Sequence, residues 1–290
     1  MNQLLFPLRG NEQLADSLSK LKGIEKGSIT FRHFPDGESY IKINSDVAGK
    51  HAIIICTLNN PDTKILQLYF IAKTIKELGA LKVTLIAPYL AYMRQDMRFT
   101  EGEVVSSVYF SKLISSCCDN IITIDPHLHR YKSLNEIYTI PAVALHAAPV
   151  IARWIHENIE RPVLAGPDVE SMQWVQEVAH YAQSPFFVLQ KKRKSDTDVE
   201  ISVPHIAKYS AHTPVLIDDI ISTGSTMVAT ILHLKNAGMQ PPVCIGVHGL
   251  FANDAYNKLR LAGAGRIITC NTVAHESNAI EISGLISTVL

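Results

Sequence analysis

The sequence has no excess charge of either sign, since 27 basic residues meet 27 acidic ones among 290. That balance excludes a global field drawing the chain to nucleic acid or to an anionic membrane, and its partners are expected to be small molecules. No run of eighteen apolar residues occurs, which excludes a helix of membrane-spanning length. "MNQLLFPLRG" puts Pro7 and Arg9 where a secretory leader needs an unbroken apolar centre. Cysteines are few: Cys56, Cys117, Cys118, Cys244 and Cys270 lie near apolar stretches without the paired spacing of a thiolate metal site. They read as mostly buried free thiols, which suits a reducing compartment and a soluble, cytoplasmic protein. A Walker-type G-x-x-x-x-G-K-[ST] is also missing, so any phosphate must be held by other means.

What is present is a chain 47% hydrophobic, long enough for two ordinary domains or one large one. Short apolar runs alternate with segments of helical period. "HAIIIC" precedes a helix in which Ile65, Leu68, Tyr69, Ala72, Ile75 and Leu78 recur every three or four residues before Gly79 stops it. "KVTLIAP", a helix in "GEVVSSVYFSKLISSCC" and "NIITID" complete a βαβαβ pattern, which implies a parallel sheet flanked by helices. The alternation restarts after "YTIPAVALHAAP" with helix "VIARWIHENI", strand "PVLAG", helix "VESMQWVQEVAHYA", strands "FFVLQ", "DVEISV" and "PVLIDD", and helix "MVATILHLKNAG". Two α/β domains are therefore expected, 1–141 and 142–290, with "AIEISGLISTVL" free to add a strand or helix to either and roughly the last 15 residues expected to pack on the N-terminal one.

The stretch "PVLIDDIISTGSTM" drops from an apolar run into two aspartates and turns through Thr-Gly-Ser-Thr. Ligands of open α/β sheets gather beyond the carboxyl ends of strands. There the amides of Thr223, Gly224, Ser225 and Thr226, starting a helix, can wrap a phosphate, with the hydroxyls of Ser222, Thr223, Ser225 and Thr226 adding donors. Asp218 and Asp219 would repel that phosphate; they suit sugar hydroxyls, or Mg²⁺ on them, a few ångströms away. A phosphate at one end and vicinal hydroxyls at the other describe a ribose 5-phosphate moiety. The bland alternative is an acidic strand end followed by a capped helix.

"VLIDDIISTGST" resembles the phosphoribosyl-diphosphate (PRPP) signature shared by type I phosphoribosyltransferases and ribose-phosphate pyrophosphokinases, also called PRPP synthetases. "FRHFPDGESYIKI", "PYLAYMRQDMRF" with "GEVVSS", "TIDPHLHR", "GPD" and "QKKRK" occur in the order and approximate spacing of the pyrophosphokinases. The resemblance runs from about residue 31 to 227. It implies two phosphoribosyltransferase-like domains, each a mainly parallel sheet flanked by helices. The activity implied is transfer of the β,γ-diphosphoryl group of ATP to the 1-hydroxyl of ribose 5-phosphate, with Mg²⁺ as cofactor. The alternatives are a transferase that consumes PRPP with a base, and a catalytically silent homologue that regulates an active synthetase.

Carried over by the same resemblance, Phe34, Asp36 and Glu38 of "FPDGE" and Arg94, Gln95 and Asp96 of "RQD" bind ATP across the subunit interface of a homo-oligomer. Without it, "FPDGE" reads as a tight turn between strands and "RQD" as a solvated loop. His127 and Asp168, each just after an apolar run, are expected to flank Mg²⁺–ATP. A zinc reading of His127 and His129 fails for want of further ligands at suitable spacing. "QKKRKSDTD" matches the mobile catalytic loop, with Lys191 and Arg193 at the two charged catalytic positions; on composition alone it is a solvated basic run. Met97 replaces a basic residue usual after "RQD", Ser222 an aspartate, and Ser225 a glycine. Ser222 and "DPH" in place of "DLH" make the chain similar to the short archaeal-type branch.

Overall fold

The apolar runs become strands because residues buried on both faces of a sheet carry no polar alternation, and the periodic segments become the helices that cover them. The computed structural model describes residues 2–168, 171–193, 199–202 and 206–290. It divides into two units, Met1–Leu145 with Ser283–Leu290, and His146–Ile282.

In chain order the first unit contains β1 (Gln3–Pro7), α1 (Glu12–Lys22), β2 (Glu25–Lys26), β3 (Ile29–His33), β4 (Ser39–Ile43), β5 (His51–Ile55), α2 (Ile65–Glu77), β6 (Lys82–Ala87), α3 (Ser106–Cys117), β7 (Asn120–Ile124) and β8 (Ala142–Leu145). Its sheet runs β2-β1-β5-β6-β7-β8 and every pairing is parallel. β3 and β4 form a separate antiparallel hairpin that packs on α2. Because the chain leaves β1 in one direction and β5 in the other, right-handed crossovers put α1 on one face and α2 and α3 on the opposite one.

The second unit contains α4 (Ala148–Asn158), β9 (Pro162–Gly166), α5 (Met172–Ala182), β10 (Phe186–Val188), β11 (Gln190–Arg193), β12 (Val199–Ser202), β13 (Thr213–Ile221), α6 (Ser225–Asn236), β14 (Val243–Gly249), α7 (Ala255–Ala262), β15 (Arg266–Cys270) and β16 (Asn278–Ile280). Its sheet runs β10-β9-β13-β14-β15-β16, again all parallel. α4 packs on α5, and α6 on α7. Leu216, Ile231, Leu234, Cys244 and Leu259 are fully buried in the core between β13, β14 and the α6–α7 layer. The chain then returns to the first unit, where α8 (Ser283–Ser287) packs on α1 and the Lys22 ammonium donates to the Ser287 carbonyl at 3.1 Å.

Sequence and structure part at the joins. The division expected at Pro141 falls instead between Leu145 and His146, because Ala142–Leu145 pairs with the open edge of β7. The C-terminal segment splits, Asn278–Ile280 adding a strand to the second sheet while Ser283–Leu290 belongs to the first unit. "FFVLQ" is not one strand: β10 ends at Val188, and Gln190 opens β11, which pairs antiparallel with β12 outside the main sheet. The basic run therefore starts as a strand, while 194–198 lie outside the described residues, as do Val169 and Glu170 ahead of α5. β1, α1, β14, α7 and β15 complete the sheets beyond the strands and helices expected from the pattern. All five cysteines are free and buried, and among the described residues no helix is long and apolar enough to cross a membrane.

Strand order reverses once in each sheet, between β1 and β5 and between β9 and β13. In the first unit protein groups stitch that crevice. The buried Asn11 side chain donates to the Leu8 carbonyl and accepts from the Thr57 amide, both at 3.0 Å, and Lys64 donates to the Thr57 carbonyl at 2.8 Å. Asn11→Ala strands a buried amide, so the expected loss is about 1–3 kcal/mol of unfolding free energy, measured by urea denaturation.

At the opposite, amino end of the same sheet a polar ladder crosses four neighbouring strands. The Thr84 hydroxyl donates to Asn120 Oδ1 at 2.6 Å, so it accepts from His51 Nε2 at 2.6 Å, and His51 Nδ1 is left to accept from Gln3 at 3.3 Å. Only neutral imidazole fits, and burial followed by the Lys82 charge lowers the His51 pKa from its usual 6.5. The unfolded chain therefore binds the extra proton first: the His51 contribution is full above about pH 6.5 and is lost as pH falls through that value to the folded pKa. Between pH 7.5 and 5.5 the unfolding free energy is expected to drop in the native protein and to drop less in His51→Gln, which keeps a donor and an acceptor.

Candidate functional site

The second unit's reversal carries the acidic and small residues singled out in the sequence. β13 lies beside both β9 and β14, so its carboxyl end opens onto the gap left by the change in direction. β13 continues to Ile221, two residues beyond the expected end of the strand, with Asp218 opposite Gly246 and Ile220 opposite His248. Asp218 and Asp219 thus stand within the strand, partly buried. The Asp219 amide donates to Asp218 Oδ1 at 3.1 Å, and the Ile220 amide donates to Asp219 Oδ1 at 2.8 Å.

Burial pushes the Asp218 pKa well above its usual value, and the charges of Asp219 and then Asp168 push it further. Asp168 follows β9, where the Ser171 amide donates to its carboxylate at 3.2 Å and the Ser171 hydroxyl to its carbonyl at 2.6 Å. Asp168 thus acts on Asp218 through its charge, from the end of the neighbouring strand. Carboxylate oxygens beside a strand end suit the hydroxyl donors of a sugar, and a cation nearby would relieve the repulsion, though among the described residues no group of three or more His, Cys, Asp or Glu is arranged to hold a metal ion.

Gly224 caps α6 at φ 70°, and a Cβ there would lie 3.3 Å from that of Ala255, so only glycine meets both the backbone and the packing demand. Beyond it, Ser225 and Thr226 begin the helix, whose first amides have no partner within it. Thr223 and Ser225 hydroxyls are 3.2 Å apart, and Ser222 and Thr226 complete the small polar rim. Lys191 and Arg193 are both on β11, in register with Ile201 and Val199; their side chains lie outside the described part of the structure.

The remaining residues singled out are in the first unit. "FPDGE" is the turn of the β3–β4 hairpin: the Phe34 amide donates to the Glu38 carbonyl at 2.8 Å, and the Glu38 amide to Asp36 Oδ1 at 3.3 Å. Phe34, Asp36 and Glu38 are exposed, and the Arg32 guanidinium lies 4.8 Å from the Phe34 ring and 4.2 Å from that of Tyr40. "RQD" follows β6. Arg94 is exposed, Gln95 accepts from the Ser106 hydroxyl at 2.6 Å, and buried Asp96 faces Arg130 at 3.3 Å. His127, after β7, packs edge-on against His129 with ring centroids 4.0 Å apart. Among the described residues no group of three or more His, Cys, Asp or Glu is arranged to hold a metal ion. His127 and Asp168 belong to different units. Arg32 and Arg130 were not singled out in the sequence, because their partners are set by a hairpin register and by a contact spanning 34 residues.

Comparisons with known proteins cover both units. Residues 3–117 match the N-terminal domain of ribose phosphate pyrophosphokinase, and 133–282 match the phosphoribosyl transferase domain. The chain is 32% identical over 271 residues to a ribose-phosphate pyrophosphokinase of Sulfolobus acidocaldarius, covering 92% of each protein. It is 31% identical over 288 residues to that of Methanothermobacter thermautotrophicus, covering 99% of each. A phosphoribosylpyrophosphate synthetase from Mycobacterium smegmatis shares the fold, with a TM-score of 0.87 at 22% identity over 99% of this chain and 97% of that one. The paired phosphoribosyltransferase-like sheets, the residues gathered at the second reversal and these full-length likenesses lead to one assignment: the chain belongs to the ribose-phosphate pyrophosphokinase family.

Proposed function

We propose that the protein transfers the β,γ-diphosphoryl group of ATP to the 1-hydroxyl of ribose 5-phosphate, releasing PRPP and AMP. The observation that carries this reading is the juxtaposition, at one strand-order reversal, of the adjacent carboxylates of Asp218 and Asp219 with a glycine-capped helix start. One end suits an anion and the other suits hydroxyls or a cation, and ribose 5-phosphate has that polarity.

In this reading the amides and hydroxyls of Ser222–Thr226 hold the 5-phosphate, while Asp218 and Asp219 accept from the ring hydroxyls. Arg94, Gln95 and His127, together with Phe34, Asp36 and Glu38, receive ATP, and buried Asp96 belongs to the segment that presents Arg94 and Gln95. Mg²⁺ would supply charge neutralisation on the phosphates when bound, and His127 in the first unit and Asp168 in the second are each assigned as a candidate ligand. The 1-hydroxyl oxygen bonds to the β-phosphorus, the α,β-bridging bond breaks toward AMP, and the hydroxyl proton leaves. Lys191 and Arg193 offset the negative charge that spreads over the transferring oxygens.

Exposed apolar side chains support a homo-oligomer. Leu66 and Phe70 on α2, four residues apart, and Tyr109 and Leu113 on α3, equally spaced, lie on helices that pack side by side on one sheet face. A second copy of the chain is the occupant we assign, with the neighbouring hairpin that bears Phe34 completing the ATP site of its partner. Five buried free thiols suit a reducing, cytoplasmic setting. The phosphoribosyltransferase reading accounts for the second unit alone and leaves "FPDGE" and "RQD" without a role.

With Mg²⁺, ribose 5-phosphate and ATP, AMP is expected to appear in step with PRPP, followed by chromatography; sugar-dependent ADP would mean an ordinary kinase, and chelation of the metal should stop turnover. Lys191→Ala and Arg193→Ala are each expected to lower kcat by about 10² or more with much smaller changes in KM, which steady-state kinetics will decide.

A further inference from the structure

Asp96 carries a carboxylate only 4% exposed, and the ion partner the structure gives it is Arg130, 34 residues later, on the segment that bears His127. One guanidinium nitrogen of Arg130 stands 3.3 and 3.5 Å from the two carboxylate oxygens. The next residue reinforces the contact, the Tyr131 hydroxyl donating to the Asp96 carbonyl at 3.4 Å. Arg130 also lies 5.7 Å from the centroid of the Phe99 ring, within cation–π range.

Phe99 is 62% exposed, yet its backbone is held firmly. Its amide donates to Glu103 Oε2 at 2.7 Å, the Thr100 amide donates to the same oxygen at 3.2 Å, and the Thr100 hydroxyl donates to Oε1 at 2.9 Å. These three donors, the Phe99 amide first, hold the Glu103 carboxyl below its usual pKa. Arg98 closes the turn by donating from Nε to the Glu103 carbonyl at 2.9 Å. The loop after "RQD" is therefore a braced arch, and Arg130 ties its base and its side to the segment after β7.

Resting on the proposed ATP role of these two segments, we propose that Arg130 is a positioning residue for the ATP site, a clamp that makes the "RQD" and "DPHLH" segments a single body. A planar fork suits the task, because one side chain can share its donors with a carboxylate and lay its cationic face toward a ring; lysine provides charge alone. Half-exposed Arg130 is free of the core, so its removal acts on the loops and not on packing. The clamp also explains why Asp96 is buried: it receives Arg130 and so serves ATP through the arrangement of its neighbours Arg94 and Gln95.

The test uses the full-length protein and its variants Arg130→Ala, Arg130→Lys, Asp96→Asn and Arg130→Ala/Asp96→Asn. Arg130→Ala is expected to raise the KM for ATP about tenfold or more, Arg130→Lys to recover part of it, and the double variant to be no worse than the poorer single one. The KM for ribose 5-phosphate should stay within about twofold, since its site is in the other unit. Hydrogen exchange, read without turnover, should show the Phe99 and Thr100 amides exchanging faster in Arg130→Ala. Unchanged ATP KM, equal effects on both substrates, additive single effects, or unaltered exchange would each overturn the clamp. An unmutated protein that fails to make PRPP while Arg130→Ala still speeds exchange at Phe99 and Thr100 would sink the proposed activity and leave the clamp standing.

Discussion

Asp218 is a carboxylate that burial and two like-charged neighbours hold against its own ionisation. The fold sustains that arrangement because strand order reverses between β9 and β13, so Asp168, after β9, stands at the end of the strand beside the one that carries Asp218 and Asp219. Hydroxyl donors or a cation beside Asp218 would offset the cost of its ionisation, which is why the strand end is read as the place for a ligand and not as a stabilising element of the fold. The adjoining glycine-capped start of α6 brings the opposite polarity within the same strand end.

The first unit has the same kind of sheet and the same kind of reversal, but uses it differently. Between β1 and β5 the gap is tied by Asn11 and Lys64, whose hydrogen bonds satisfy the loop backbones that a ligand would otherwise meet. The segments to which we assign ATP lie instead after β6 and β7, braced by Glu103 and by Arg130. In the proposed function two sheets of one architecture thus divide the labour: one uses its reversal for small polar groups, and the other ties its reversal and works from neighbouring strand ends.

Much of this is legible in the order of the amino acids. The apolar runs of β5, β6, β7, β9 and β13 and the helical period of α2 and α6 mark the βα alternation, because strands buried on both faces and helices buried on one leave different signatures. Edges are harder. Whether Ala142–Leu145 belongs to the first or second sheet depends on which one offers an open strand, and Pro141 marks only a change of direction. Gln190–Arg193 reads as a basic loop because lysine and arginine are poor strand signals, while its antiparallel partner nine residues on supplies the backbone bonds that make it a strand.

The residue types and their order determined the parallel α/β class, the glycine at 224, and the two aspartates beside small hydroxyls, since each follows from steric or chemical demands local to a few residues. Only the tertiary structure decided that Asp168 faces Asp218, that Asn11 crosses to Thr57, and that Asp96 takes Arg130 as its partner. Those contacts join residues 34 to 50 positions apart, and their geometry is set by strand order and crossover direction, which no local pattern of side chains encodes.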